Sequence, residues 1–457
     1  MKKTSTNFGV SLTPRAALAS AMSLMLAGCG TLSSVKKAVV GGDPDPGQLI
    51  TTYIGGAAAD EPNAVVTARD VLAHGGNAAD AATALGFMLS VTLPSRASLG
   101  AGGACLAYQP GENSPNHGAP EVIAFMPVAG GGGGERPGAV PMLARGLYLL
   151  SARYGSQPFS QMVAPAEAAA RLGTPASRAL ARDVAAVAGP LAGDDQAAAI
   201  FVPNGTPVAE GQKIIQTDLG AMLAQISTRG VGDFYQGLTA HTFAEAASGV
   251  GGGVRFENMR AALPALATPA NVTSGSDTVA LLPAAEDGGA VAAGMQYGGD
   301  PTAALNASTA AVASSRGVSS LPALPASTSF VVIDHKGGAV ACALSMGNLF
   351  GTGRIAPGSG ILLGASPAAR PAPIYAAAIA WNSGQHAFKA AVAGSGQNSA
   401  GAAVGMTLSA ALAGNATPVG PEPGRANVAV CSKYLPGDQS SCHIVADPRG
   451  FGLASGS

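Results

Sequence analysis

Ser327-Thr328-Ser329-Phe330-Val331-Val332-Ile333-Asp334, then His335-Lys336-Gly337-Gly338, then Ala339-Val340-Ala341-Cys342-Ala343-Leu344-Ser345 is the stretch that decides the fold. A Gly pair between two β-rich runs is a hairpin signal. A turn centred on Lys336 puts Phe330 opposite Cys342 and Ser327 opposite Ser345. One hydroxyl then opens the first strand and another closes the second, close enough to hydrogen-bond across the pair. A slip of one residue would turn every side chain to the other face, so the register is a sharp expectation. Ser327 also follows a stretch containing Pro322 and Pro325. A hydroxyl there can attack the carbonyl of Ala326, and hydrolysis of the resulting ester frees an α-amine on Ser327. That amine titrates near ~8 and can act as the base for its own hydroxyl. On spacing alone, a Ser-Thr pair before a strand is more often a plain turn.

Upstream, Asp60 can cap a helix from Glu61 to about His74, with Pro62 in its first turn. Gly75-Gly76 stops it, and Asn77 can cap a second helix through Leu89. A Gly-rich turn, Gly100 to Gly103, leads into a strand at Ala104–Tyr108, and Gly130 to Gly134 reads as a flexible loop. Helical periodicity resumes over Pro141–Tyr154, Ala164–Leu172 and Thr217–Ile226. The small, polar stretch from Pro301 to Ala326 reads as exposed and weakly structured.

The composition excludes several classes. Charged residues are 11% and the net charge is -1, so neither a basic patch for nucleic acid nor a charged tail is present. Glycine and proline are abundant, at 64 and 32, but hydrophobic residues at 47% rule out a disordered chain. At the start, Lys2, Lys3 and Arg15 precede an apolar run from Ala16 to Leu26. The run is shorter than the ~20 residues of a membrane span and suits a signal-peptide core. It ends in Leu26-Ala27-Gly28-Cys29, which resembles the bacterial lipobox. Residues 1–28 are therefore read as a lipoprotein signal peptide, Cys29 as the lipidated first residue of the mature protein, and 29–49 as a tether. The expected location is the bacterial cell envelope, lipid-anchored and facing the periplasm. Gly30 in place of Asp gives no reason for inner-membrane retention, so the outer membrane is the expected address.

Export puts the remaining cysteines in an oxidising compartment. Cys431 and Cys442 bracket a short loop with Pro436 and Gly437, which invites a disulfide across a hairpin. Cys105 and Cys342 lie in apolar runs and read as small buried residues. The six histidines are scattered without metal-ligand spacing, and no cofactor is expected.

Motifs along the chain add a resemblance. His74-Gly75-Gly76-Asn77-Ala78-Ala79-Asp80-Ala81-Ala82, Leu99-Gly100-Ala101-Gly102-Gly103, Ala152-Arg153-Tyr154-Gly155 and Val163-Ala164-Pro165-Ala166 resemble, in order, landmarks of the γ-glutamyltranspeptidase family. So do Ser327 to Gly353, Ser359-Gly360-Ile361-Leu362-Leu363 and Ala446-Asp447-Pro448-Arg449-Gly450. The resemblance implies an N-terminal-nucleophile hydrolase, an α+β protein folded as a four-layer αββα sandwich. It implies cleavage between Ala326 and Ser327 into associated fragments, a large-subunit-like region (50–326) and a small-subunit-like region (327–457) of one intertwined domain. Ser327 would be the nucleophile, Thr328 the family's second Thr, and Ser345 the Thr that hydrogen-bonds the nucleophile. Backbone amides of Gln397 and Asn398 would form the oxyanion hole. The substrate would be a small γ-glutamyl compound or another amide.

Several substrate-holding positions of the family are changed. Met126 stands where an Arg grips the glutamyl α-carboxylate, and a neutral thioether makes no bidentate pair. Arg370-Pro371 leads to Ala372-Pro373 instead of a Ser pair. Gly364-Ala365-Ser366-Pro367 lacks the Asp that holds the substrate amine, and Gly347 replaces an Asn, with Asn348 adjacent. These changes leave two expectations open: an enzyme acting poorly on glutathione and better on another amide, or a non-catalytic envelope module that keeps the fold.

Overall fold

A computed structural model describes residues 53–317, 326–369, 371 and 373–456. The signal peptide, Cys29 and the tether lie outside the described residues, as do Pro322, Pro325, Arg370 and Ala372.

The chain enters a first sheet as β1 (Gly55–Ala59), crosses helices α1 (Pro62–Ala73) and α2 (Ala78–Thr92), and returns as β2 (Gly102–Tyr108) and β3 (Glu121–Phe125). A helical stretch follows, including α3 (Leu143–Tyr154), α4 (Phe159–Leu172), α5 (Arg178–Ala186) and α6 (Thr217–Arg229). Strand β4 (Ala265–Ala267) closes one edge of the first sheet, and β5 (Ala270–Ser274) and β6 (Asp277–Leu281) open a second. After α7 (Ala290–Met295) and α8 (Pro301–Arg316) the chain re-enters the first sheet as β7 (Ser327–Asp334) and β8 (Ala339–Ser345). The second sheet is completed by β9 (Ala376–Asn382), β10 (Ala387–Ser395), β11 (Arg425–Leu435) and β12 (Cys442–Val445), with α9 (Ala400–Leu412) between β10 and β11. The last strand, β13 (Leu453–Gly456), pairs with β1 at the far edge of the first sheet.

Across the first sheet the order is β13-β1-β7-β8-β2-β3-β4, and across the second β12-β11-β10-β9-β6-β5. Strands from before and after Ser327 thus interleave in the first sheet, and in the second they meet where β6 pairs with β9. Three apolar layers hold the stack together. Leu85 and Leu89 of α2 pack with Phe330, Val332 and Val340 on the outer face of the first sheet. Val331, Ile333 and Ala341 meet Ile379, Phe388 and Ala391 between the sheets. Val291, Val312, Val404 and Leu408 cover Ala378, Val392 and Val428 on the outer face of the second. The result is the four-layer αββα sandwich, an α+β fold. Strand β7 shows how the sequence encodes it. Its side chains alternate, with Phe330 and Val332 towards the helices and Val331 and Ile333 towards the second sheet. Both faces are buried, so the middle of the strand, Phe330 to Ile333, is wholly apolar.

The β7–β8 hairpin has the expected register, with Ser327 opposite Ser345 and Phe330 opposite Cys342. Asp334 fastens the turn by accepting from the Lys336 and Gly338 amides at 2.8 and 2.9 Å.

Four expectations are corrected. The cap of α1 is Glu61, whose carboxylate accepts from the Ala64 amide at 2.8 Å, leaving Asp60 free for another role. Residues 301–316 form a regular helix. Asp300 caps it at the Thr302 and Ala303 amides, Pro301 sits at its first position, and Ala304, Ser308 and Val312 form a buried stripe. The Gly130–Gly134 run is tied down: the Gly132 amide donates to the Gly253 carbonyl at 2.7 Å, an approach that a Cβ on Gly132 would block. Cys105 and Cys342 are buried, but as a disulfide, because β2 and β8 are neighbours and the two residues are register partners. A second disulfide joins Cys431 to Cys442 across β11 and β12. Among the described residues no helix is long and apolar enough to cross a membrane.

Candidate active site

Ser327 opens β7 and is 2% exposed. The carbonyl of Ala326, just before it, is held by two donors, the Ser345 hydroxyl at 2.9 Å and the Met346 amide at 3.2 Å. The cross-strand hydroxyl pair therefore works differently from the sequence expectation. Ser345 hydrogen-bonds the carbonyl preceding Ser327, and accepts from the Gly347 amide at 2.9 Å. Two donors converging on one carbonyl oxygen are placed to stabilise negative charge developing there.

The Ser327 hydroxyl oxygen accepts from the Gly396 amide at 3.1 Å. Gly396 joins β10 to the turn before α9 and has φ +107°, where a Cβ would lie 2.6 Å from the Pro423 carbonyl oxygen. Glycine is thus required for this amide to reach Ser327. The neighbouring Gln397 is buried and also has positive φ, +60°, at one of the two positions where the resembling family has a Gly pair. A non-glycine residue held in this left-handed region costs about 1–2 kcal/mol. Gln397 and Asn398 follow the amide that touches Ser327; they are one and two residues beyond it.

Asp60, which sequence reasoning placed at the cap of α1, bonds to β7 beside Ser327. One carboxylate oxygen accepts from the Thr328 hydroxyl at 3.0 Å, the Ser329 amide at 3.2 Å and the Ser395 hydroxyl at 3.0 Å. The other accepts from the Asn427 side-chain amide at 2.9 Å. Asn427 also donates to the Ser329 carbonyl at 3.0 Å. Thr328, buried in β7, thus holds Asp60 through its hydroxyl.

Beside Asp60, Ser395 and Gly396 lies a cavity of about 370 Å³, within the size range of small-molecule sites. Arg96, Arg182, Arg425 and Arg449 line it. Three of them are paired: Arg96 with Asp183 at 2.7 Å, Arg425 with Glu422 at 2.8 Å, and Arg449 with Asp447 at 2.6 Å. Burial opposes the charge on Arg96, but Asp183 and, more weakly, Asp60 outweigh it and hold its pKa above the ordinary value. Arg182 has no ion pair among the described residues and lies over the Phe451 ring at 5.1 Å.

Met126 packs against the apolar layer between the sheets. Asn348 turns its side chain to the Gly351 carbonyl at 3.3 Å. The Gly364 carbonyl accepts from the Ala139 amide, and Ser366 is buried.

Comparison with known proteins places this geometry. The family model described as gamma-glutamyltranspeptidase matches residues 64–300. The chain is 30% identical over 206 residues to the glutathione hydrolase proenzyme of Escherichia coli, covering 42% of this chain and 36% of that protein. It is 30% identical over 193 residues to the capsule biosynthesis protein CapD proenzyme of Bacillus anthracis, covering 42% and 35%. The matched part spans little more than a third of the length of these relatives. Among solved structures, cephalosporin acylase from Bacillus halodurans superposes with a TM-score of 0.68 at 16% identity, over 91% of this chain and 98% of that one. The γ-glutamyltranspeptidase of Helicobacter pylori gives 0.50 at 22% identity, over 58% and 83%. At these identities the superpositions show the shared fold.

Proposed function

The chain belongs to the γ-glutamyltranspeptidase family, and from that premise we propose that it is a self-cleaving amide hydrolase or transferase with Ser327 as its N-terminal nucleophile. The family match ends before β7, so the role of Ser327 rests on local geometry. The observation that carries it is the Ala326 carbonyl held by Ser345 and Met346, with the adjoining Ser327 hydroxyl aligned by the Gly396 amide.

In the self-cleavage step the Ser327 Oγ attacks the Ala326 carbonyl carbon. Charge gathers on the oxygen that Ser345 and Met346 contact, then the C–N bond breaks. The hydroxyl proton ends on the departing nitrogen, and the product is an ester. Water hydrolyses the ester, leaving a carboxylate on Ala326 and a free hydroxyl and α-amine on Ser327. In turnover the amine takes the hydroxyl proton as the oxygen attacks a substrate amide, and returns it to the leaving amine. Water, or an acceptor amine, then releases the acyl group. The two fragments stay associated because their strands interleave in the first sheet and pair, β6 with β9, in the second.

Relatives are named for glutathione hydrolysis, and a γ-glutamyl amide is the starting substrate class. Met126 removes one ion pair from that recognition. A lost charged hydrogen bond costs about 1.5–3 kcal/mol, so glutathione should bind about tenfold to a hundredfold more weakly for each such loss. The Arg-lined cavity beside Ser395 and Gly396 is where a different amide would be accommodated. The lipobox-like Leu26-Ala27-Gly28-Cys29 supports an envelope lipoprotein facing the periplasm, with the outer membrane as its address.

A reducing denaturing gel of the purified protein tests the proposal. Two fragments, divided between residues 326 and 327, are expected, and Ser327→Ala should give one band. Ser327→Thr should still mature. A wild-type protein that stays uncut under all conditions would point to the non-catalytic module. Release of p-nitroaniline from γ-glutamyl-p-nitroanilide should be slow. Turnover at ~1–1000 per second would show that other residues hold the glutamyl group.

A further inference from the structure

Asp60 sits where β1 ends in the first sheet, yet its four donors come from β7 in that sheet and from β10 and β11 in the other. Two of those donors flank the nucleophile from opposite sides. Thr328 follows Ser327, and Ser395 precedes Gly396, whose amide contacts the Ser327 hydroxyl at 3.1 Å. One carboxylate therefore fixes both the start of the nucleophile strand and the loop that aligns its hydroxyl. Hydrogen bonds to an ionised acceptor are roughly twice as strong as neutral ones, so the clamp is stiff.

We propose that Asp60 is a positioning residue for the Ser327 nucleophile, clamping its strand to the Gly396 loop and setting the charge beside the α-amine that cleavage frees. The proposal rests on the reading of Ser327 as the nucleophile. Asp60 lies 3.2 Å from the Ser329 amide. Strand rise is about 3.3 Å per residue, which puts the Ser327 nitrogen roughly 6–9 Å from the carboxylate. A negative charge at that range favours the protonated amine, so it raises the amine pKa. The other charges near Asp60 are Arg96 with its partner Asp183, Arg182 on α5, and Arg425, Arg449 and Glu422 across the cavity. Asp183 and Glu422 are each already engaged by arginine, which leaves Asp60 as the carboxylate bonded to the nucleophile strand.

Asp60→Asn keeps the shape and removes the charge. It also presents an amide N–H₂ to groups that are themselves donors, so the clamp loosens. Self-cleavage of Asp60→Asn, followed by pulse-chase on reducing gels, should slow at least tenfold. Ser395→Ala removes one arm at the loop without touching Asp60 and should slow it by a smaller factor, which guards against a folding failure of the first variant. In the fraction that matures, the Ser327 amine is titrated directly by ¹³C reductive methylation and NMR. Removing the negative charge should lower its pKa by about 0.5–1 unit. A purely structural role would slow maturation and leave that pKa in place. Wild-type cleavage rates in both variants, or an unmoved amine pKa in Asp60→Asn, would overturn the proposal while leaving Ser327 as nucleophile. An uncut wild-type protein would overturn both.

Discussion

Ser345→Ala is the substitution that bears most directly on the proposed cut before Ser327. The Ser345 hydroxyl supplies one of two donors to the Ala326 carbonyl, at 2.9 Å, and the Met346 amide supplies the other at 3.2 Å. Alanine removes the shorter contact and keeps the backbone donor. Loss of one oxyanion donor costs about 10²–10³ in rate, or about 2.7–4 kcal/mol. The lower end applies here, because the second donor remains, so maturation should slow about 100-fold. The side effect on stability is small. The Gly347 amide loses its acceptor, worth about 1 kcal/mol, which in a chain of this size moves the melting midpoint by only about 1–3 °C. Ser345→Thr restores the hydroxyl and should mature nearly normally. Pulse-labelled cells chased for hours and resolved on reducing gels give the rate, and a thermal melt of each variant controls for folding. Maturation of Ser345→Ala within twofold of wild type, with an unchanged melt, would refute the assignment of this hydroxyl to the oxyanion.

Burial pushes the Asp287 carboxyl up to about 7, against smaller opposing contributions from the Gly289 and Val291 amides and Arg316. Its folded pKa exceeds its unfolded value, so the folded state holds the extra proton between about pH 4 and 7 and stability falls as pH rises through that window. Urea unfolding should show a decline of up to about 4 kcal/mol from pH 4 to pH 8 that Asp287→Asn flattens, and an equal slope in both proteins would contradict the assignment. Replacing Phe330, wholly buried in β7, by Ala should cost about 3–5 kcal/mol in the same assay. Cys29→Ser should move the protein from the membrane pellet to the soluble fraction, and unchanged fractionation would count against the lipid anchor.

The β7–β8 hairpin was legible because two β-rich runs flank a glycine pair and a symmetric turn leaves one register that keeps Phe330 and Val332 on the same face as Val340. The helices α1 and α2 were legible from their periodicity and from Asn77, which caps α2 as expected. Asp60 was not, because Asp is a preferred cap and Glu is not, and nothing local says that Glu61 caps the helix while the Asp60 carboxylate turns towards a strand hundreds of residues away. Helix α8 carried its own signal in Asp300-Pro301, but its small polar residues outweighed it. Strands β9 and β10 are built on alanines, which have low strand preference and are buried here on both faces. The Cys105–Cys342 bond needed the sheet order, since two cysteines in separate apolar runs do not announce that their strands are neighbours.

That bond has a bearing on the mature molecule. Cys105 lies before the cut and Cys342 after it, so hydrolysis of the Ala326–Ser327 link would leave the halves tethered by sulfur. The product would be a covalent heterodimer that migrates as a single species until a thiol is added. Dissociation, the ordinary hazard of a nicked protein at low concentration, is closed to it. A lipid on the first half would thereby moor the second half too, holding the freed Ser327 at the membrane surface through a chemical linkage that survives even unfolding.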